Sequence, residues 1–127
     1  MATYLFYCLT VPDPPRRLRV VLKGNSLVIK WREPLNTNGM VDYIVMVSVN
    51  GNTTTVCKNC GEYHRMKNVD QNTTYTFWAI AYNVNNDRFV SKRSNNYTIS
   101  TPSFSKLPYN YSVYQDWMQV FLENAIG

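Results

Sequence analysis

Two thiols three residues apart, Cys57-Lys58-Asn59-Cys60, are the arrangement in this chain that most invites chemistry. Such a pair can close a local disulfide, exchange with other thiols, or supply half of a zinc site. A thioredoxin-like redox site needs its first cysteine at a helix N-terminus that lowers the thiol pKa, whereas this pair flanks a β-rich turn. Zinc needs four ligands; Cys57, Cys60 and His64 supply three, and Cys8 is remote in sequence. A local disulfide is the preferred reading, with free thiols and metal or redox exchange left as alternatives. Cys8 is then unpaired. His64, the one histidine, sits in a short strand-like run, which suits an edge or surface role better than that of a general base. No Gly-rich phosphate loop and no nucleophile elbow can be found. The expectation is therefore a protein without catalytic residues, bound metal or cofactor.

The formal net charge is +5, with the densest basic groups at Arg16-Arg17-Arg19 and Lys92-Arg93. A nucleic-acid groove calls for a basic stripe with interleaved aromatics, and no such stripe can be traced along one strand face. A solvated surface is the simpler reading; a basic module that binds glycosaminoglycan is the alternative. No apolar run is long enough to span a bilayer as a helix. Asn-x-Ser/Thr sequons at Asn52, Asn72, Asn96 and Asn110 favour glycosylation at these sites and an extracellular or cell-surface setting. Asp87-Arg88 follows the central strand without completing an adhesion tripeptide.

The elements that position these residues are strands. At 127 residues the chain holds one domain with short extensions. Asn72 to Asn83 is rich in β-branched and aromatic residues and is uninterrupted by Gly or Pro, which marks a central strand. Leu18 to Leu22, Leu27 to Arg32 and Val41 to Val49 show alternation, with Leu27, Ile29 and Trp31 in phase and Tyr43, Val45 and Val47 in phase. Turn residues at Pro34, Asn38-Gly39, Asn50-Gly51 and Gly61 separate them. Asn52 to Cys57, Glu62 to Lys67 and Arg93 to Ile99 complete a count of seven strands. The expected fold is all-β, a seven-stranded antiparallel sandwich of immunoglobulin-like form.

Pro14, Leu18-x-Val20, Leu27-x-Ile29-x-Trp31, Pro34 with Asn38-Gly39, and Tyr43-x-Val45-x-Val47 occur in the order of a known module. Val69, Thr73, Tyr75, Phe77, Ala79, Ala81 and Asn83 continue it. The pattern resembles the fibronectin type III domain over residues 12 to 102. Asp70-Gln71 departs from the family where Pro or Gly is frequent, and Ala79 is smaller than the usual Val or Ile. The resemblance implies core positions for Trp31, Tyr43 and Tyr75. It also implies a non-catalytic recognition or spacer module of a larger receptor or adhesion protein, with a protein partner or neighbouring domain.

Outside that span, residues 1 to 11 are expected to be a linker or leader. Residues 103 to 127 are expected to be a linker followed by a short amphipathic helix, since Tyr114, Trp117, Met118, Phe121, Leu122 and Ala125 fall at helical spacing after a capping box at Ser112. One feature of the strands points to function. Alternation that turns Tyr43, Val45 and Val47 inward turns Ile44 and Met46 outward, and in the family's arrangement these lie beside Trp78, Ile80 and Tyr82. Five apolar side chains sharing one exposed surface would be a contact face.

Overall fold

The computed structural model describes residues 11–104. Among them it contains eight strands and no helix: β1 (Arg16–Lys23), β2 (Ser26–Arg32), β3 (Val41–Val49), β4 (Asn52–Lys58), β5 (Tyr63–Met66), β6 (Thr74–Asn83), β7 (Asn86–Val90) and β8 (Tyr97–Ser100). β1, β2 and β5 form one antiparallel sheet in that order; the other follows the order β4, β3, β6, β7, with β8 also paired to β6. The expected helix between Tyr114 and Ala125, together with Cys8 and Asn110, lies outside the described residues.

The two sheets meet through their alternating apolar positions. Leu18 and Val20 of β1, Leu27, Ile29 and Trp31 of β2, Tyr43, Val45 and Val47 of β3, and Tyr75, Phe77, Ala79 and Ala81 of β6 are all buried in one cluster. Phe77, Leu27, Ile29 and Val45 are the largest fully buried side chains, each stabilising the fold by about 1.5–3 kcal/mol. Trp31 and Tyr43 join the sheets edge to face, with ring centroids 5.5 Å apart. The Tyr75 hydroxyl accepts a hydrogen bond from the Asp70 amide at 2.8 Å, fixing the loop before β6. Asp70, in place of Pro or Gly, thus supplies the bond through its main chain.

One strand more than expected is present because the chain after β6 makes a tighter turn than its polar composition suggests. The Asn83 side-chain oxygen accepts hydrogen bonds from the amides of Asn85 and Asn86, and Asn86 pairs back with Asn83. Asp87-Arg88, expected in a loop, therefore lies on β7. The last expected strand, Arg93 to Ile99, survives as β8 only from Tyr97 onward. Between β7 and β8 the chain stays beside β6, held differently. The amides of Ser91 and Ser94 donate to the carbonyls of Ala81 and Ala79, both at 2.8 Å. Their hydroxyl oxygens accept from the amides of the same two alanines, both at 2.9 Å. Three residues of advance on this segment match two on β6, so the segment bulges between the serines.

Asn95 closes the sandwich edge. Its carboxamide accepts from the Leu18 amide at 2.9 Å and donates to the Leu18 carbonyl at 3.0 Å, replacing a strand pairing with a side chain. β1 bulges at Arg17, whose φ of 52° turns the backbone toward this contact.

Candidate functional site

β3 and β6 are directly paired, and their register sets Ile44 opposite Ile80 and Met46 opposite Trp78, with Tyr82 opposite Asp42. Paired residues of an antiparallel ladder share a face. Since Tyr43, Val45, Phe77, Ala79 and Ala81 are buried between the sheets, Ile44, Met46, Trp78, Ile80 and Tyr82 all lie on the outer side. The alternation in the sequence thus places all five together. It does not foresee their cover. Ile44, Met46 and Ile80 are half-buried, but Trp78 is only 8% exposed and Tyr82 only 4%. The expectation of five exposed side chains is corrected for these two.

The cover has a specific origin at each ring. Over Trp78 lies the Arg93 guanidinium, with its carbon 4.4 Å from the ring centroid. The bulge between Ser91 and Ser94 is what carries Arg93 there. Over Tyr82 lies the Lys58 ammonium, 5.4 Å from the ring, while the Tyr82 hydroxyl donates to the Asn59 side-chain oxygen. Burial raises the Tyr82 phenol above the ordinary phenol range, and nearby Asp42 adds to the rise while Lys58 opposes it. Lys58 also pairs with Asp87 at 3.2 Å, with both side chains well exposed, so this bridge contributes little to stability.

Cys57 and Cys60 are joined by a disulfide whose Cα atoms are 5.7 Å apart. The bond closes the short loop carrying Lys58 and Asn59, the two residues that cover Tyr82. The same loop is tied to β3 by the Cys60 amide on the Tyr43 carbonyl and by the Gly61 amide on the Asp42 carboxylate. His64 stands opposite Ile29 on β5, half-buried and turned to the inner side. No group of three or more His, Cys, Asp or Glu among the described residues is placed to hold a metal.

Around the apolar centre the outer face changes character along its strands. Toward one end, Thr74 and Ser100 share a hydrogen bond at 2.7 Å and Thr76 and Thr98 one at 2.9 Å. Toward the other stand Asp42, Lys58 and Tyr82. Asn52, Asn72 and Asn96 are all exposed, and Asn96 directly precedes β8. Arg93 was not among the sequence-derived face residues; the Ser-x-x-Ser spacing of residues 91 to 94 is the signal that marks its bulge.

The family model for the fibronectin type III domain matches residues 13–99. The chain belongs to the fibronectin type III family. Among solved structures, domains A168-A170 of titin match with a TM-score of 0.62 at 26% identity, covering 73% of this chain and 33% of theirs. The titin kinase with its flanking domains matches with a TM-score of 0.61 at 26% identity, covering 72% and 17%. The twitchin kinase region of C. elegans shows the shared fold at 19% identity, with a TM-score of 0.64 and coverage of 78% and 18%. This chain therefore spans a third or less of each of these three structures. No curated protein matches it in sequence. A fibronectin type III domain is typically a non-catalytic protein-interaction or spacer module.

Proposed function

We propose that this fibronectin type III domain is a protein-recognition module of a secreted or cell-surface receptor or adhesion protein. Its contact face is the outer side of β3 and β6, formed by Ile44, Met46, Trp78, Ile80 and Tyr82. The observation that carries this reading is the continuity of the face: Ile44 pairs with Ile80 and Met46 with Trp78, so four apolar residues occupy adjacent positions on it without an intervening polar one. A patch of this kind on a solvent-facing sheet marks a contact surface. Arg93 and Lys58 add cations at its border, each held over an aromatic ring, which suits a partner with apolar anchors and an acidic rim. The disulfide and the exposed sequon asparagines Asn52, Asn72 and Asn96 support an extracellular setting, where thiols oxidise and glycans are added. Asn110 is proposed as a fourth glycosylation site.

Labelled domain applied to cells tests the reading. Saturable binding that disappears in Ile44→Asp/Ile80→Asp, while the melting temperature stays within a few degrees of the parent domain, is the expected result. Equal binding by the parent and the variant would place the contact elsewhere.

A further inference from the structure

A sandwich has strand edges as well as faces, and an unpaired edge is a place where another strand can add. Here the edges are unequally protected. On the smaller sheet, β1 carries four Lys or Arg residues and the Asn95 carboxamide occupies both the amide and the carbonyl of its Leu18, while β5 has four residues, Arg65 among them. On the larger sheet, β7 has five residues that include Asp87 and Arg88, and the four-residue β8 lies against β1. β4 is the exception. It runs for seven residues without Pro, Gly, Asp or Glu, its one cation, Lys58, stands at the far end, and Asn52, Thr53, Thr54 and Thr55 are all exposed. Its pairing with β3 is regular from Asn52 to Thr55, before the register shifts. Asn50 and Gly51 form the two-residue turn, both with positive φ, so Val49 and Asn52 exchange main-chain hydrogen bonds. Alternation along the ladder then points the amides and carbonyls of Thr53 and Thr55 into the open edge, while those of Thr54 bond to Val47.

We propose that this edge pairs with the same edge of a second copy of this chain, antiparallel and about a two-fold axis through Thr54. In that register Thr53 meets the partner's Thr55 and Thr55 the partner's Thr53, and each pair exchanges two main-chain hydrogen bonds, so the open amides and carbonyls of both residues are satisfied. Thr54 stands opposite itself on the axis. Every cross-strand pair is threonine on threonine, a β-branched match that also offers hydroxyl contacts. Charge favours self-pairing here and opposes it elsewhere: two antiparallel copies of β5 or β7 would bring Arg65 or Arg88 close to its own equivalent, whereas residues 53–55 carry no charge. Such an isologous contact closes at two subunits and leaves no β4 edge open. The pairing would join the two larger sheets into one. Thr55 lies on the outer side, where its hydroxyl donates to the Met46 sulfur at 3.5 Å, and paired residues share a face, so the outer sides of both copies turn the same way. Three strand spacings, about 14 Å in all, separate the two β3 strands and set the two β3–β6 faces side by side. A partner can then engage both at once. Bivalent contact depends on the function proposed for that face; the pairing of β4 does not.

Sedimentation equilibrium of the 127-residue chain, made without N-linked glycans and followed into the millimolar range, tests the pairing. A reversible monomer–dimer equilibrium is expected. Thr54→Lys and Thr54→Glu each set like charges opposite one another at the axis and should weaken the dimer roughly fivefold. Their unfolding midpoints should stay close to that of the parent, because Thr54 is exposed. An equal mixture of the two variants should restore association, since opposite charges then face each other across the axis. Ile44→Asp/Ile80→Asp should leave the dimer intact even where it abolishes binding to cells, so the edge and the contact face can fail separately. A chain that stays monomeric throughout, or a dimer indifferent to both Thr54 substitutions, would overturn the proposal. So would a mixture that associates no better than either variant alone. Loss of the dimer in Ile44→Asp/Ile80→Asp would assign self-association to the β3–β6 face and overturn it as well.

Discussion

The two outer faces of this sandwich share one core and differ in almost everything else. Behind β1, β2 and β5 the outward positions are cationic, set around Val21 and Val28. Behind β3 and β6 they are apolar at the centre, with a ladder of paired hydroxyls at one end. The inner faces supply the largest fully buried side chains, Phe77, Leu27, Ile29 and Val45. The outer faces are under less of that constraint, although Val28, Trp78 and Tyr82 are buried there as well, so their composition also reflects what each face meets. An apolar strip braced by Arg93 suits a defined protein contact.

The most damaging substitution should be the one that uncouples the faces from their common core. Trp31→Ala is expected to cost about 3–5 kcal/mol in urea unfolding, enough to unfold much of a small domain. A loss of a few tenths would contradict the packing of Trp31 against Tyr43.

Next comes the contrast between the faces themselves. Trp78→Ala should cost about 2–3 kcal/mol although its side chain points away from the core, because the ring is almost wholly covered. Arg65→Ala, on the other face, should change stability by less than about 0.5 kcal/mol. Equal costs would erase the distinction between a braced face and a solvated one.

A smaller effect sharpens the cause of that bracing. Ser94→Ala leaves the buried amide of Ala79 without its hydroxyl acceptor and should cost about 1–2 kcal/mol. It should also release Arg93, seen as a red shift of Trp78 fluorescence. An unshifted spectrum would separate the bulge from the cation over the ring.

The smallest is a change at the shared loop. Tyr75→Phe should lower stability by about 1 kcal/mol through loss of the hydrogen bond from Asp70, leaving both outer faces intact by circular dichroism and fluorescence.

Much of this was legible in the chain. Alternation in Leu27 to Trp31 and in Tyr43 to Val47 identified which side of each strand is buried, because a period of two has only two phases. The same logic placed Ile44, Met46, Trp78, Ile80 and Tyr82 together. What covers Trp78 and Tyr82 was not legible, because Arg93 and Lys58 reach them through a bulge and a disulfide-closed loop, neither of which has a periodicity. The basic face was hidden for another reason. The cations are divided among β1, β2 and β5, and they come to one face only when those strands pair in register. Strand β7 was missed because its residues are polar and its turn depends on the Asn83 side chain.

Contact through the β3–β6 face can be measured by hydroxyl-radical footprinting of the domain free in solution and bound on cells. Met46 reports on that face, and Tyr63, 60% exposed on the other sheet, serves as the internal comparison. Binding is expected to slow oxidation of Met46 strongly and to leave Tyr63 nearly unchanged. Oxidation of Met46 at the same rate in the bound and free domain would contradict it.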